Sequence, residues 1–130
     1  MGDDNSGSGP DAPKAYILVV DDDEHIRALL RNALEPVGYE VETAADGDEA
    51  MRLLRIRCPD LLIADLIMPG VSGDELARQA FDCCPNARLV FVSGYPAHQL
   101  RSLGITQVVF LEKPIRIAEL RAMVKEMVGW

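Results

Sequence analysis

The sequence predicts an α/β fold in which five βα units form a doubly wound parallel sheet with helices on both faces. Short continuous apolar runs recur along the chain, as in strands that are covered on both sides. Segments with helical periodicity separate these runs, and strands that alternate with helices form parallel sheets through crossover connections. The chain has 130 residues, which suits one domain and is too short for two ordinary ones.

The first unit begins with the apolar run at 16–20, which predicts a buried strand. Apolar residues then recur at helical spacing, which predicts one buried helix face closed by Pro36 and Gly38. This face consists of Ile26, Leu29, Leu30, Ala33, Leu34 and Val37.

In the second unit, residues 39–43 alternate between apolar and polar, as in a half-exposed strand. Asp46 and Glu49 resemble a capping box for a helix that ends at about residue 57.

Three further apolar runs predict the remaining strands. They lie at 61–64, 89–92 and 108–111. Because these runs are short and uninterrupted by polar residues, they are typical of strands that are buried in a parallel sheet. Polar residues follow them, namely Asp65, Ser93 and, after one further residue, Lys113.

The sequence signals that predict helices in the last three units differ in strength. Ser72 and Glu75 form a second cap signature for a helix that ends near residue 85. A weak segment at 96–103 has room for one short helix. The last helix follows Arg116, a poor cap, and carries one apolar side. That side consists of Ile117, Leu120, Met123, Val124, Met127 and Val128.

Charge and hydropathy exclude several classes of protein. The net charge of −8 argues against direct nucleic acid binding, because phosphate contacts need a basic face. No apolar stretch approaches the length of a membrane span, and the N-terminus lacks a basic, hydrophobic signal sequence. These features predict a cytoplasmic chain that makes no membrane contact itself.

The termini and cysteines give two further expectations. Residues 1–14 are rich in Gly, Ser, Pro and Asp, which predicts a disordered tail or linker before a folded domain at 15–130.

The three cysteines, Cys58, Cys83 and Cys84, are odd in number and lack metal-ligand spacing, which predicts reduced thiols as in a cytosolic protein. A redox role for the Cys83–Cys84 pair stays open as the less favoured alternative.

The acidic run Asp21-Asp22-Asp23 directly follows the first predicted strand. Carboxylates held close together repel one another, and a hard divalent cation such as Mg²⁺ would remove that cost. An acidic helix N-terminus would explain the same run, and Asp23 suits an N-cap. The other strand ends favour the first reading. Because the carboxyl ends of parallel strands meet at one edge, Asp65, Ser93 and Lys113 are expected beside these acids.

Four segments of the chain resemble the receiver domain of two-component signalling (the response-regulator domain). They are Val19-Val20-Asp21-Asp22-Asp23, residues 60–70 together with Gly73, Val92-Ser93-Gly94 and Glu112-Lys113-Pro114. With their spacing, they cover residues from about 15 to 128. The resemblance implies a flavodoxin-like (βα)5 sheet with strand order 2-1-3-4-5. It also implies a cis peptide bond between Lys113 and Pro114.

The resemblance assigns a role to each residue at the acidic edge. Asp65 resembles the phosphoryl acceptor, a carboxylate nucleophile that forms an acyl phosphate. Asp22, Asp65 and the backbone carbonyl of Ile67 resemble the ligands of Mg²⁺, and Asp21 would take part in the metal site through water or by supporting the other ligands. The metal would cancel charge between the anionic nucleophile and the anionic phosphoryl group. Lys113 resembles the residue that pairs first with the acceptor and later with its phosphate.

Two further residues resemble the family's conformational switch. Ser93 corresponds to the hydroxyl that moves toward the phosphoryl group after transfer. Phe110 takes the place of the switch aromatic; it has no hydroxyl, so any switching by its ring must rely on burial and packing. The implied output surface is the face made by the short helix at 96–103, the last strand and the last helix.

The resemblance implies a phosphoacceptor that promotes its own phosphorylation and slow dephosphorylation, rather than a conventional enzyme. The donor would be a histidine kinase or a histidine-phosphotransfer protein, and the output partner is open. The chain resembles either a stand-alone receiver or one attached to a hybrid sensor kinase.

Three other functions are alternatives to this one. The first is a receiver fold that acts by protein contacts alone. The second is an aspartyl-phosphate phosphatase, disfavoured because Ile67 stands where such enzymes commonly place a second Asp. A nucleotide binder would need glycine and hydroxyl donors where the three acids lie.

Overall fold

The fold is seen in a computed structural model, which describes residues 14–68, 70–94 and 109–129. The described strands are β1 (Tyr16–Val20), β2 (Glu40–Ala44), β3 (Leu61–Asp65), β4 (Arg88–Ser93) and β5 (Val109–Glu112). The described α-helices are α1 (Glu24–Leu34), α2 (Gly47–Ile56), α3 (Gly73–Cys83) and, after β5, α4 (Ile117–Val128). A 3₁₀ turn at Glu35–Val37 follows α1.

The strands form one sheet in the order β2-β1-β3-β4-β5, and every strand pair is parallel. β1 lies between β2 and β3, with Val19 opposite Thr43 on one side and Ile63 on the other. The predicted fold class and the implied strand order are therefore confirmed. In this order the ends of β1 and β3 lie side by side. The connection from β1 leads to β2 on one side and the connection from β3 leads to β4 on the other, and ligands of such sheets bind at this point.

The core has two layers, one on each face of the sheet. Side chains alternate along a strand, so Ile17 and Val19 pack on one face while Leu18 and Val20 pack on the other. The face with Ile17 is covered by α1 and α4, and the face with Leu18 is covered by α2 and α3. Both faces of the sheet are therefore buried, as the continuous apolar runs predict.

Helix starts agree closely with the cap signatures. The Asp23 side chain accepts a hydrogen bond from His25 N at 2.8 Å and caps α1. Asp46 Oδ1 accepts from Glu49 N at 2.8 Å, while the Glu49 carboxylate accepts from Ala45 N. Ser72 caps α3, and α4 begins without a side-chain cap, as predicted for that helix.

Element ends differ from the predictions by a few residues. The first helix ends at Leu34 rather than at Val37, because Pro36 cannot continue the α-helical hydrogen bonds and a 3₁₀ turn replaces them. Gly38 then adopts a φ of 108°, a left-handed conformation that suits glycine. The strand predicted at 108–111 begins at Val109 in the described part of the chain. The short helix predicted at 96–103 lies outside the described residues.

The expectation that all three cysteines are reduced is wrong, because Cys58 and Cys84 form a disulfide. Their Cα atoms lie 5.5 Å apart despite a separation of 26 residues. Cys58 precedes β3 and Cys84 precedes β4, and these two strands are neighbours in the sheet, so the two segments meet at its amino edge. Cys83 is a free, exposed thiol.

None of the helices in the described ranges combines the length and the apolar character that crossing a bilayer requires.

Candidate functional site

The predicted site residues meet at the carboxyl edge of the sheet. Asp21 directly follows β1, while Asp65 and Ser93 are the last residues of β3 and β4. Lys113 directly follows β5. Because all four strands run in the same direction, their ends bring these side chains to one edge, as the sequence predicts.

Three carboxylates form a cluster at this edge. One carboxylate oxygen from each of Asp21, Asp22 and Asp65 lies within 4.8 Å of the others. Asp21 and Asp65 are buried, with 1% and 7% of their surfaces exposed, whereas Asp22 is exposed. The cluster therefore has a buried base and one carboxylate open to solvent, which is an arrangement that a hard cation can enter and bind.

Both oxygens of the Asp65 carboxylate have defined partners. Oδ1 accepts a hydrogen bond from Ile67 N at 3.1 Å, and Oδ2 accepts one from Lys113 Nζ at 3.2 Å. Ile67 itself is 59% exposed, so the chain directly after Asp65 reaches the surface. These contacts fix the plane of the carboxylate before any ligand binds.

Lys113 connects two of the acids with the neighbouring strand. Its Nζ lies 3.6 Å from Asp21 Oδ2 as well as 3.2 Å from Asp65 Oδ2. Its backbone N–H donates to Ser93 O at 2.8 Å, and the peptide bond to Pro114 is cis, as predicted. Burial lowers the pKa of Lys113, but its hydrogen bond to Asp65 and the nearby negative charges outweigh burial, so the net shift is upward.

Asp21 is the carboxylate of the cluster whose pKa is raised by its surroundings. Its Oδ1 accepts from Asp23 N at 2.8 Å, but its buried Oδ2 accepts no hydrogen bond within the described part of the chain. Burial raises the pKa of Asp21; the bond from Asp23 N opposes this shift, and the charge of Asp65 adds to it. A buried carboxylate oxygen that accepts no hydrogen bond among the described residues and lies beside two other acids fits the donor set of a divalent oxygen-binding cation such as Mg²⁺.

Two contacts at the site were not predicted from the sequence. Arg27 Nη1, on α1, donates to the backbone oxygen of Asp21 at 2.7 Å and ties the helix to the acidic segment. Gly73 N donates to Leu66 O at 3.0 Å, and this close approach leaves no room for a side chain at 73. The amphipathic spacing of α1 gives no signal for the Arg27 contact, because an arginine at a helix surface is ordinarily solvated.

The residues expected to switch lie beside the cluster. Ser93 is buried at the end of β4, opposite Glu112 of β5. Phe110 is half-buried on β5 and stacks on Phe91 with 5.9 Å between the ring centroids. The Phe110 ring thus packs against the sheet layer that also carries α2 and α3.

The family of the chain follows from its match to a family model. The model of the response regulator receiver domain matches residues 17–125, which include every predicted site residue. The chain is a receiver domain of this family. Receiver domains are phosphoacceptors of two-component systems rather than conventional enzymes, and they interact with histidine kinases or phosphotransfer proteins.

Curated relatives of this receiver include transcriptional regulators and a kinase. The phosphate regulon transcriptional regulatory protein PhoB of Rhizobium meliloti is 41% identical over 115 residues, which are 85% of this chain and 51% of PhoB. The sensor histidine kinase TmoS of Ectopseudomonas mendocina is 33% identical over 95% of this chain and 14% of the kinase. The chain thus spans about half the length of PhoB and a small part of TmoS.

Solved structures show the same fold. The receiver domain of the hybrid histidine kinase CckA has a TM-score of 0.76 and 38% identity, covering 88% of this chain and 99% of that one. The chemotaxis protein CheY4 of Vibrio cholerae has a TM-score of 0.80 and 26% identity, with the same coverage.

Replacing Asp21 by Asn is expected to stabilise the metal-free receiver by about 1 kcal/mol at neutral pH. It removes a buried charge whose Oδ2 accepts no hydrogen bond within the described residues and has Lys113 Nζ at 3.6 Å. The pKa of Asp21 is raised above its ordinary value of 3.8, so its contribution to stability is fully present below that value. This contribution is lost as the pH rises through the folded pKa. The stability advantage of Asp21→Asn should therefore grow with pH.

Urea unfolding in EDTA, from pH 4 upward, measures this difference. The same variant should gain less stability from added Mg²⁺ than the wild type does. A variant that is no more stable than wild type in EDTA would show that Lys113 already compensates the Asp21 charge.

Proposed function

We propose that this receiver accepts a phosphoryl group on Asp65 from a phosphohistidine, with Mg²⁺ bound at the acidic cluster. The observation that supports this most directly is the setting of the Asp65 carboxylate. It is oriented by Ile67 N–H and Lys113 Nζ and lies within 4.8 Å of Asp21 and Asp22 oxygens. A carboxylate surrounded in this way is a nucleophile positioned next to a cation site.

The transfer exchanges one bond to phosphorus for another. An Asp65 oxygen forms the new O–P bond while the P–N bond of the donor breaks, and the electron pair of that bond stays on the imidazole nitrogen. Mg²⁺, held by Asp22, Asp65 and the Ile67 carbonyl with support from Asp21, would neutralise charge on the phosphoryl oxygens. Lys113 lies close enough to Asp65 to exchange its carboxylate contact for one with the bound phosphoryl group.

The same edge provides the proposed switch. Ser93 lies at the end of the strand next to Asp65, so its hydroxyl can move toward a phosphoryl oxygen. Phe110 is half-buried, and an inward shift of its ring would follow the Ser93 movement by packing alone. Phosphorylation would then shift the population of two conformations of the surface around β5 and α4.

The donor that we propose is a histidine kinase or a histidine-phosphotransfer protein, and the output partner stays open. A stand-alone receiver is compatible with the similarity to CheY4, because the match covers 99% of that chain, and a receiver joined to a hybrid kinase is compatible with the similarity to CckA and TmoS. The division into a tail at 1–14 and a domain at 15–130, and the cytoplasmic location, stay predictions.

The test is to incubate the protein with acetyl phosphate and Mg²⁺ and to measure its intact mass. One phosphoryl adduct is expected for the wild type and none for Asp65→Asn, because the amide is not a nucleophile of this kind. Asp82→Asn, an exposed acid on α3, is the matched control and should be labelled like the wild type. An adduct that survives Asp65→Asn would overturn the assignment. A folded wild type that takes no phosphoryl group would favour a receiver that acts by protein contacts alone.

A further inference from the structure

The amino edge of the sheet carries a second cluster of reactive side chains, at the end of the sheet opposite the acids. Cys58 lies between α2 and β3, and Cys83 and Cys84 lie at the end of α3 before β4. The Cys58–Cys84 disulfide therefore joins the ends of two helices that cover the same face of the sheet. The predicted phosphorylation chemistry makes no use of this cluster.

The two ends of the disulfide differ in accessibility. Cys58 is exposed, whereas Cys84 is 2% exposed and belongs to the core layer under α2 and α3. Thiol–disulfide exchange needs a thiolate to approach one sulfur along the S–S axis, so access decides which sulfur is attacked. An incoming thiolate can reach Cys58, and the buried Cys84 is then the leaving group.

A third sulfur lies next to the bond. Cys83 Sγ and Cys84 Sγ each lie 3.7 Å from the same backbone oxygen, that of Leu54 at the end of α2. Cys58 Sγ lies 3.8 Å from the backbone oxygen of Cys83. Cys83 is a free thiol and is exposed. The cluster thus contains a disulfide with one exposed end, Cys58, and an exposed thiol, Cys83, that is adjacent in sequence to Cys84.

We propose that Cys58 and Cys84 form a reversible thiol–disulfide exchange site for low-molecular-weight thiols of the glutathione class. A first thiolate attacks Cys58 Sγ, forms a mixed disulfide there and releases Cys84 as a thiolate, which takes a proton from water. A second thiolate attacks the sulfur of the small molecule in this mixed disulfide and releases Cys58. Two small thiols are oxidised to one small disulfide, and the protein disulfide is reduced to two thiols.

The exchange changes how α2 and α3 are held. In the oxidised form, a covalent bond joins residues that are 26 positions apart and closes a segment that contains β3 and all of α3. In the reduced form only packing holds the two helix ends together. Because a bond of this span restricts the unfolded chain, reduction is expected to lower the melting temperature by about 10 °C.

The experiment equilibrates the folded full chain in mixtures of reduced and oxidised glutathione, quenches with acid, and alkylates free thiols after unfolding. Intact mass should show the internal disulfide in excess oxidised glutathione, with the exposed Cys83 either alkylated or joined to one glutathione. In excess reduced glutathione it should show three alkylated cysteines and no internal disulfide. Circular dichroism of the same samples checks that both forms are folded.

Two variants identify the partners. Cys83→Ser is the matched control beside the bond. Its count of alkylated cysteines should rise from none in excess oxidised glutathione to two in excess reduced glutathione. The ratio of reduced to oxidised glutathione at which half of the bond is reduced should lie within about twofold of the wild-type value. Cys58→Ser should show no internal disulfide in any mixture, because each remaining cysteine is then either alkylated or joined to glutathione. Since Cys58 is exposed, this variant leaves no cavity in the core.

Several results would overturn the proposal. Absence of the internal disulfide from every mixture would mean that the bond does not form, and its presence in every mixture would mean that it forms but does not exchange. Loss of the disulfide in Cys83→Ser, or a disulfide in Cys58→Ser, would assign the bond to a different pair.

Discussion

Replacing Asp22 by Asn is expected to slow phosphoryl uptake from acetyl phosphate by at least about 100-fold, while Asp23→Asn changes it by less than about twofold. The two residues are adjacent, both are exposed, and both substitutions remove one negative charge. Any difference between the variants therefore reports the position of the carboxylate rather than the net charge of the segment.

The physical reason is the different direction of the two side chains. An Asp22 oxygen lies within 4.8 Å of Asp21 and Asp65 oxygens, so it can share a cation with them. The Asp23 carboxylate instead accepts the His25 N–H and caps α1, a role that Asn fills equally well. A neutral amide at 22 removes a ligand and leaves the charge of an incoming phosphoryl group less well neutralised.

Intact mass against time in acetyl phosphate, at several Mg²⁺ concentrations, gives the rates. Raising Mg²⁺ should partly rescue Asp22→Asn, because weaker binding can be offset by mass action. Equal losses in both variants would contradict the assignment of Asp22, since they would show that only the summed charge of the acidic run matters.

Sequence reasoning located the acidic edge because the information lies in the order of the elements. A buried strand must end somewhere, and parallel strands end at a common edge, so the polar residue after each apolar run maps to one place. Asp65 and Lys113 are separated by 48 residues and still meet at 3.2 Å for this reason. The capping roles of Asp23 and Asp46 were also readable, since they depend only on local spacing.

What sequence reasoning missed depends on contacts between elements that no local pattern encodes. The Cys58–Cys84 bond can be predicted only if β3 and β4 are known to be neighbours and α2 and α3 are known to end over the same face of the sheet. Counting three cysteines favoured reduced thiols, because an odd number leaves at least one unpaired. The contact of Arg27 with the Asp21 backbone likewise depends on the angle at which α1 leaves β1.

Gly73→Ala is expected to lower the melting temperature by about 10 °C and to slow phosphorylation of Asp65 by roughly tenfold. A Cβ at 73 would lie 2.5 Å from Asp65 O and 2.7 Å from Leu66 Cα, which are backbone atoms that cannot rotate away. Either α3 must move off the sheet or the end of β3 must shift. The second movement displaces the Asp65 carboxylate from Lys113 and from the other acids.

Gly94→Ala is the control for stability, because a Cβ at 94 meets nothing within 4 Å in the described part of the chain. It should leave the melting temperature within about 2 °C of wild type. Thermal unfolding followed by circular dichroism, with acetyl phosphate labelling well below the melting temperature, separates the two effects. A Gly73→Ala variant that melts early but is labelled at the wild-type rate would mean that α3 moves and the acceptor strand does not. Slower labelling together with the lower melting temperature would show that the close contact of α3 with β3 helps to fix the position of Asp65.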